Sequence, residues 1–387
     1  MSKLEELIQK LCPNGVEYKK ISEVTNILRG KRLTKSQLLE DGLYPVYHGS
    51  LSPLGYYNKA NRESDTVIVV NTGGIGGVGY SATPFWCSDG CFCIEHCKIL
   101  INKFIYYFLV GFQDYFVSRI RTGGVPTIDK DTVDNIKIPV PPIEVQEEIV
   151  RILDKFTELT AELTAELTAR KKQYEFYRNN ILNFDNDVPK YKLAEIFNTR
   201  NGYTPSKNNK QFWNTSEISW FRMDDIRENG RILDKAIQGV SISAVKGKPF
   251  PKNSIIISTS ATIGEHALIK CESLANQRFT YLMLKDEYKD KYNTMFLFYY
   301  CFVLDEYCKE NLNQGNFASV DMRKFNEFEF PMPPLEEQKR IVAILDRFDK
   351  LCNDISEGLP AEIKARQKQY EYYRDKLLTF KEKTICG

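Results

Sequence analysis

Two small sets of residues in this chain have types and spacing that could do chemistry, and a third falls short. Gly74-Ile75-Gly76-Gly77-Val78-Gly79 matches the GxGxxG pattern that cradles a dinucleotide pyrophosphate. That chemistry needs a helix directly after the glycines, so that its N-terminal dipole faces the phosphates. Tyr80-Ser81-Ala82-Thr83-Pro84-Phe85-Trp86 follows instead and has no helical pattern. The expectation is a tight turn between strands, or a loop that approaches a nucleic acid. Cys87, Cys91, Cys93 and Cys97, with His96, are zinc-ligand types, but zinc sites usually join two CxxC knuckles from separate segments. Cys91, Cys93 and Cys97 alternate as one face of a strand would, which suits small buried hydrophobes better than a metal site. The third set is an absence. Pro141-Pro142 and Pro333-Pro334 are preceded by Val140 and Met332 and followed by no aromatic, so neither is the N/D/S-P-P-Y/F/W motif that holds a flipped amino group. There is no GxxxxGK[ST] phosphate loop, no HExxH, and only three histidines, His48, His96 and His266. The chain is therefore expected to have no catalytic residues, no cofactor and no metal of its own.

The elements that must position any functional groups are written twice. Residues 135–184 and 327–380 carry the same segment. Pro141-Pro142, Gln146 and Ile152-Leu153-Asp154 correspond to Pro333-Pro334, Gln338 and Ile344-Leu345-Asp346 at a constant offset of 192 residues. Tyr174, Tyr177 and Arg178 match Tyr370, Tyr373 and Arg374 at 196. Both copies read as helices. Val145, Ile149, Ile152, Phe156, Leu159 and Leu163 form a heptad seam, repeated by Ile341, Ile344, Phe348, Leu351 and Ile355. A proline pair opens each helix, where a missing N–H costs nothing. A helix over 142–182 would be about 60 Å long at roughly 1.5 Å per residue. No lone helix with such a stripe is stable in water, so the two copies are expected to pair. In the second copy Gly358 and Pro360 interrupt the pattern, which predicts a kink or break near Pro360.

The segments before each helix repeat more faintly. Lys20-Ile21-Ser22-Glu23-Val24 parallels Lys192-Leu193-Ala194-Glu195-Ile196, and Gly30 parallels Gly202. Thr66-Val67-Ile68-Val69-Val70 with Gly76 mirrors Ser254-Ile255-Ile256-Ile257-Ser258 with Gly264, and Thr127-Ile128-Asp129 mirrors Ser319-Val320-Asp321. Two halves with one scaffold and different loops suit one task performed on two different targets.

Composition sets limits without deciding. At 387 residues and 42% hydrophobic content the chain can hold two sizeable cores. A formal charge of +2 excludes a bulk polycation, so a nucleic-acid binder of this composition must gather Lys and Arg on one face. No apolar run reaches membrane-spanning length, the first six residues lack a signal-peptide core, and ten cysteines read as reduced thiols. A cytoplasmic location is expected.

The order variable domain, PPxExQxxIVxILD-type helix, variable domain, second such helix resembles the specificity subunit of type I DNA restriction-modification systems. The tandem Thr160–Leu163 and Thr164–Leu167 (TAEL twice) adds to the likeness, which covers almost the whole chain. The resemblance implies an α/β (α+β) protein with an internal pseudo-two-fold repeat. Two mixed α/β target-recognition domains, 1–134 and 185–326, are separated by helical spacer regions 135–184 and 327–387 that form an antiparallel coiled coil. It implies that each domain reads one half of a bipartite double-stranded DNA site. It also implies that the helices set the gap and dock two methyltransferase subunits, with nuclease-translocase restriction subunits on those. S-adenosylmethionine, ATP and Mg would then be held by the partner subunits. The alternatives are a fused methyltransferase or nuclease with unrecognised motifs, and a structural adaptor that does not touch DNA.

DNA reading would fall to loops that mix basic, amide and aromatic side chains. In the first domain these are Arg29, Lys31 and Arg32 near Gly30, then Tyr47, His48, Asn71 and Thr72, and Arg119, Arg121 and Thr122 near Gly123. In the second they are Arg200, Asn201, Tyr203, Arg222, Thr259, Ser260, Asn276, Gln277, Arg278, Gln314 and Asn316. The basic helix stretches Arg170-Lys171-Lys172 and Lys364, Arg366, Lys368 are expected to be solvated surface or partner contact.

Overall fold

The computed structural model describes residues 2–313, 318–354 and 357–383. The chain forms two compact units, one from Met1–Leu163 with Ile363–Gly387 and the other from Thr164–Glu362. Each unit thus holds a globular part, the start of the helix that follows it, and a helical stretch whose sequence copy serves the other unit.

In the first unit Ile27–Arg29, Cys91–Ile94, Thr66–Val70 and Val78–Ser81 make an antiparallel four-stranded sheet in that order. Thr66–Val70 is β-branched throughout and buried at every position, as a strand covered on both faces must be. Helix Asn102–Val110 lies on this sheet with Phe104, Ile105, Tyr107 and Leu109 inward. Gly55–Tyr57, Tyr44–Tyr47 and Trp86–Cys87 form a smaller sheet whose last pair is parallel. Residues 71–77 connect the antiparallel strands Thr66–Val70 and Val78–Ser81, with Gly76 at φ +93, so the glycines serve a strand-to-strand turn and no helix follows.

The second unit repeats this plan. Phe197–Asn201, Phe279–Leu284, Ser254–Ser258, His266–Ile269 and the short Ile232–Leu233 make its larger sheet. Gly239–Val240, Ile218–Phe221 and Ser273–Ala275 make the smaller one, and Thr294–Glu310 is the covering helix. The backbone hydrogen bonds recur pair by pair. Gly30 N donates to Cys91 O and Lys31 N to Cys87 O, as Gly202 N donates to Phe279 O and Tyr203 N to Ala275 O. A Cβ at Gly30 would lie 2.0 Å from Ser88 O, and one at Gly202 2.4 Å from Ala275 O. Only glycine lets the two backbone segments meet there.

The first long helix, Ile143–Ile181, runs 39 residues without interruption and starts directly after its proline pair. Its second copy is two helices, Leu335–Asn353 and Leu359–Leu377, each 19 residues long. The break falls just before Pro360, which sits in the first turn of the later helix. A Cβ at Gly358 would lie 2.5 Å from Lys350 O, so the glycine permits the tight turn. Gln146 and Gln338 are fully buried clips. The Gln146 amide donates to Ile99 O and Pro141 O and accepts from Ile101 N, all at 2.7–2.8 Å. Gln338 makes the equivalent bonds to Lys291 O, Pro333 O and Asn293 N. One side chain thereby closes the proline corner and caps the helix-approach loop, which explains its recurrence.

The expected heptad seam needs correction. Val145, Ile149 and Leu153 are the buried stripe, at steps of four, and they pack into the globular core of their own unit. Leu159 is 48% exposed. Ile355, at the end of the second seam, lies outside the described residues. The helical copies meet through aromatic rings. Phe156 stacks on Tyr373 at 5.5 Å in the first unit, and Phe348 on Tyr177 at 5.7 Å in the second. Arg170 bonds Gln173 and pairs with Glu166, and Arg366 bonds Gln369, as on a solvated helix face.

Cys91 and Cys93 lie on a strand and join Cys87, Ile68, Val70 and Phe85 in a small core. Cys97 is off that strand, which ends at Ile94, and its thiol meets Leu100 O. Burial raises the Cys91 thiol to about 12, as for a small hydrophobe in a core. Among the described residues no cluster of His, Cys, Asp or Glu is placed to hold a metal, and no helix is long and apolar enough to cross a membrane.

Candidate nucleic-acid interface

The candidate residues of the first unit gather around one turn, Ser88-Asp89-Gly90. Arg29 Nε donates to Asp89 O at 3.4 Å, and Tyr47 O accepts from Ser88 N at 3.0 Å. His48 Nδ1 lies 3.2 Å from Ser88 Oγ and 3.3 Å from Asp89 Oδ1. Asn71 N and Thr72 N both donate to Gly90 O, and Lys31 N is tied to Cys87 O. Thr127 bridges this turn to the Arg121 loop, since it meets the Thr72 hydroxyl at 3.2 Å and accepts from Arg121 N. Lys31, Arg32 and Thr122 are exposed beside these contacts. Three candidates are already engaged or enclosed. Asn71 is 1% exposed, the Arg121 guanidinium holds both Asp129 oxygens at 2.8 Å, and Arg119 lies over the Tyr115 ring.

In the second unit the loops after Asn201, Phe221 and Ala275 converge. Asn276 N donates to Phe221 O, Trp220 Nε1 to Tyr203 O at 3.2 Å, and Thr204 Oγ1 to Gln277 Oε1 at 2.6 Å. Gln277 and Arg278 are exposed at the tip of their loop, and Ser260 pairs with Ser319 nearby. Arg200 and Asn201 are exposed yet hold contacts within the fold, and Thr259 is buried. Arg200 stacks at 3.9 Å on Phe250, which stacks on Tyr281 at 3.6 Å. The Thr280 hydroxyl donates to Asn201 Oδ1, and Thr259 is buried against Thr280. Gln314 and Asn316 lie outside the described residues.

A concave feature that the sequence does not announce adjoins this cluster. A cavity of about 400 Å³ is lined by Lys207, Lys210, Trp213, Trp220, Arg222 and Gln238. Its one signal in the sequence is a length mismatch. From Gly202 to Ser254 the chain takes 52 steps, whereas Gly30 to Thr66 takes 36.

One buried titratable pair also lies in this unit. His266 is fully buried, with Nδ1 2.6 Å from Asp305 Oδ2, and Arg231 lies 3.6 Å from the same oxygen. Burial pulls the imidazole below its ordinary value, against the opposing pull of Asp305. The ring is enclosed, and its Nε2 has no hydrogen-bond partner among the described residues.

Two copies of one scaffold, each with a loop cluster of mixed basic, amide and aromatic character, match a known pattern. The family described as type I restriction modification DNA specificity domain matches residues 13–170 and again 186–365. The chain belongs to this family. Its members are the non-catalytic DNA-recognition component of those systems. Specificity subunits similar to this chain include the EcoprrI subunit of Escherichia coli, 56% identical over 203 residues, a match that spans about half of each chain (50% and 51%). The EcoR124I/EcoR124II specificity subunit of Escherichia coli is 42% identical over 74% of this chain and 72% of its own length. A putative type I specificity subunit of Haemophilus influenzae is 32% identical over 97% and 98%. Among solved structures, one described as showing complex assembly and conformational transition of the type I system aligns with TM-score 0.63 over 95% of this chain and 98% of its own, at 18% identity. The Mycoplasma genitalium S subunit aligns with TM-score 0.55 over 94% and 96%, at 16% identity. At those identities the likeness is one of fold.

Proposed function

We propose that this specificity subunit reads a bipartite double-stranded DNA site, one half through each globular domain (1–134 and 185–326). The spacer helices (135–184 and 327–387) then set the unread gap and dock two methyltransferase subunits, on which restriction subunits assemble. Methylation uses S-adenosylmethionine held by the methyltransferase partners, in the cytoplasm. The observation that supports this most is the duplicated backbone frame, in which Gly30 and Gly202 make the same hydrogen bonds while the loops they carry differ. Identical frames orient two readers alike, and different loops let them read different bases. The paired aromatic contacts Phe156–Tyr373 and Tyr177–Phe348 give each unit the same helical surface, and two equivalent surfaces fit two copies of one partner.

The test replaces residues 1–134 with the equivalent domain of a relative and maps methylated adenines across a genome. One half of the motif should change while the other half stays. If both halves change together, the domains do not read independently. Native mass spectrometry of the complex should show two methyltransferase subunits per chain, and a single one at saturation would reject the two-surface arrangement.

A further inference from the structure

The Trp-lined cavity of the second unit has the construction of a polyanion site. Lys207, Lys210 and Arg222 converge on it, and among the described residues no carboxylate lines it. Asp224 stands 3.8 Å from Arg222 Nη1, too far for a strong pair. Arg222 Nε is buried without a hydrogen-bond partner. Both tryptophans are fixed through their own N–H groups. Trp213 Nε1 donates to Ser206 O at 3.1 Å and Trp220 Nε1 to Tyr203 O at 3.2 Å. The two indoles meet edge to face at 4.9 Å, and the Arg222 guanidinium lies over the Trp220 ring at 5.7 Å. The wall of the cavity is therefore held in place, while Lys207 and Lys210 have no ion pair among the described residues and Arg222 has only the 3.8 Å contact with Asp224. Three cationic side chains gathered beside an aromatic wall focus positive potential on the cavity and suit an anion there.

The position of the cavity points the same way. It is built from the segment between Gly202 and Ser254, where the second unit is longer than the first. It shares Arg222 with the loop cluster, and Trp220 ties it to Tyr203. The extra residues of this longer segment are where the second half-site would differ from the first.

We propose that this cavity is a specificity-determining part of the second domain's DNA surface, in which Lys207 and Lys210 hold backbone phosphates while Arg222 and Gln238 face a base edge. This rests on the DNA-reading function proposed above. Lysine serves phosphate as a point charge, whereas Arg and Gln have the paired donors and acceptors that distinguish guanine and adenine.

The experiment uses the complex with its methyltransferase subunits and a duplex that carries the motif the unaltered complex methylates. In the double variant Lys207→Ala/Lys210→Ala, affinity should fall for specific and scrambled duplexes alike. The slope of log K against log salt should decrease by about 2, roughly 0.9 for each phosphate that is no longer neutralised. Arg222→Lys keeps the charge and loses the fork, so it should relax one position of the second half-site about 10- to 100-fold and leave the first half-site intact. Gln238→Ala should act on the same half-site. An unchanged salt slope in the lysine variant, or an unchanged second half-site in both Arg222→Lys and Gln238→Ala, overturns the assignment. Loss of the first half-site in any variant does so too. Failure of the unaltered complex to bind its duplex would instead reject the DNA-reading function itself. The two lysines make no hydrogen bond or ion pair that their removal would break among the described residues, and a thermal melt of the variant checks that the fold is intact.

Discussion

Tyr299 donates a 2.6 Å hydrogen bond to Asp346, and 192 residues earlier Tyr107 donates one of 2.5 Å to Asp154. Each joins the covering helix of a globular part to the first turns of its long helix. Burial pushes both phenols well above 10, and the carboxylate adds to the shift. A group whose folded value is raised contributes stability that is complete below its unfolded value and is lost as pH rises through the folded one. Both units should therefore lose stability on alkaline titration above about pH 10. Tyr107→Phe and Tyr299→Phe should each cost about 0.5–1.5 kcal/mol at neutral pH, the net contribution of one hydrogen bond, since Lys103 still holds Asp154 and Asp346 is open to solvent. Urea midpoints at pH 8 and above 10 measure both effects, and a neutral-pH midpoint unchanged in either variant would contradict the tie.

Gln146→Leu should unlatch the first unit and Gln338→Leu the second. Each change strands one backbone N–H and two carbonyls in a buried corner, a loss of about 2–5 kcal/mol. Hydrogen exchange read peptide by peptide should show lost protection confined to the unit that carries the change. Equal loss in both units would mean that the clips do not act locally.

His266 gives the second unit an acid sensitivity. Its folded value is depressed by burial, with Asp305, Arg231 and Arg178 as its charged neighbours. The unfolded chain therefore binds a proton more readily near pH 6.5, and the stability contributed by the neutral imidazole is present above that pH and lost below it. NMR of the ring should show no titration between pH 8 and 6.5. An ordinary midpoint at 6.5 or higher would show that Asp305 outweighs burial.

Removal of residues 164–167, one TAEL unit, should shorten the helix by about 6 Å and turn it only some 40° beyond a full turn. Phe156 and Val145 stay in their unit, so the reading loops are untouched. With base pairs about 3.4 Å apart, the unread gap in the methylated motif should shrink by one base pair, two at most. Methylome mapping decides, and an unchanged gap with full methylation would show that the helix does not set the spacing.

The duplication was legible because its motif residues do the same work twice. Gln146 and Gln338, Asp154 and Asp346, and Gly30 and Gly202 make matching contacts, so each is as constrained in one copy as in the other. The helix packing was less legible. A heptad seam and a stripe at steps of four share Val145 and Ile149 and diverge only at Leu153, and periodicity alone does not say whether the facing surface is a helix or a sheet-covering core. Among the candidate loop residues, side-chain direction was hidden. Arg200 spends its guanidinium on Phe250, and Asn71 and Thr259 are enclosed. Lys207, Lys210 and Trp213 escape a comparison of the halves because they lie in the segment that is longer in the second unit than in the first.

The C-terminal stretch returns to the beginning of the chain, where Val16 N donates to Lys381 O and Lys383 N to Val16 O, each at 2.9 Å. The domain written first is thus finished last. On the ribosome, Thr164–Glu362 holds all of its own parts as soon as that run has emerged. Met1–Leu163 must wait for the final helix, Leu359–Leu377, and the segment that pairs with Val16. A premature stop after residue 362 would therefore spare the second domain and injure the first, and a growing chain must keep its N-terminal domain unfinished until Lys383 is out.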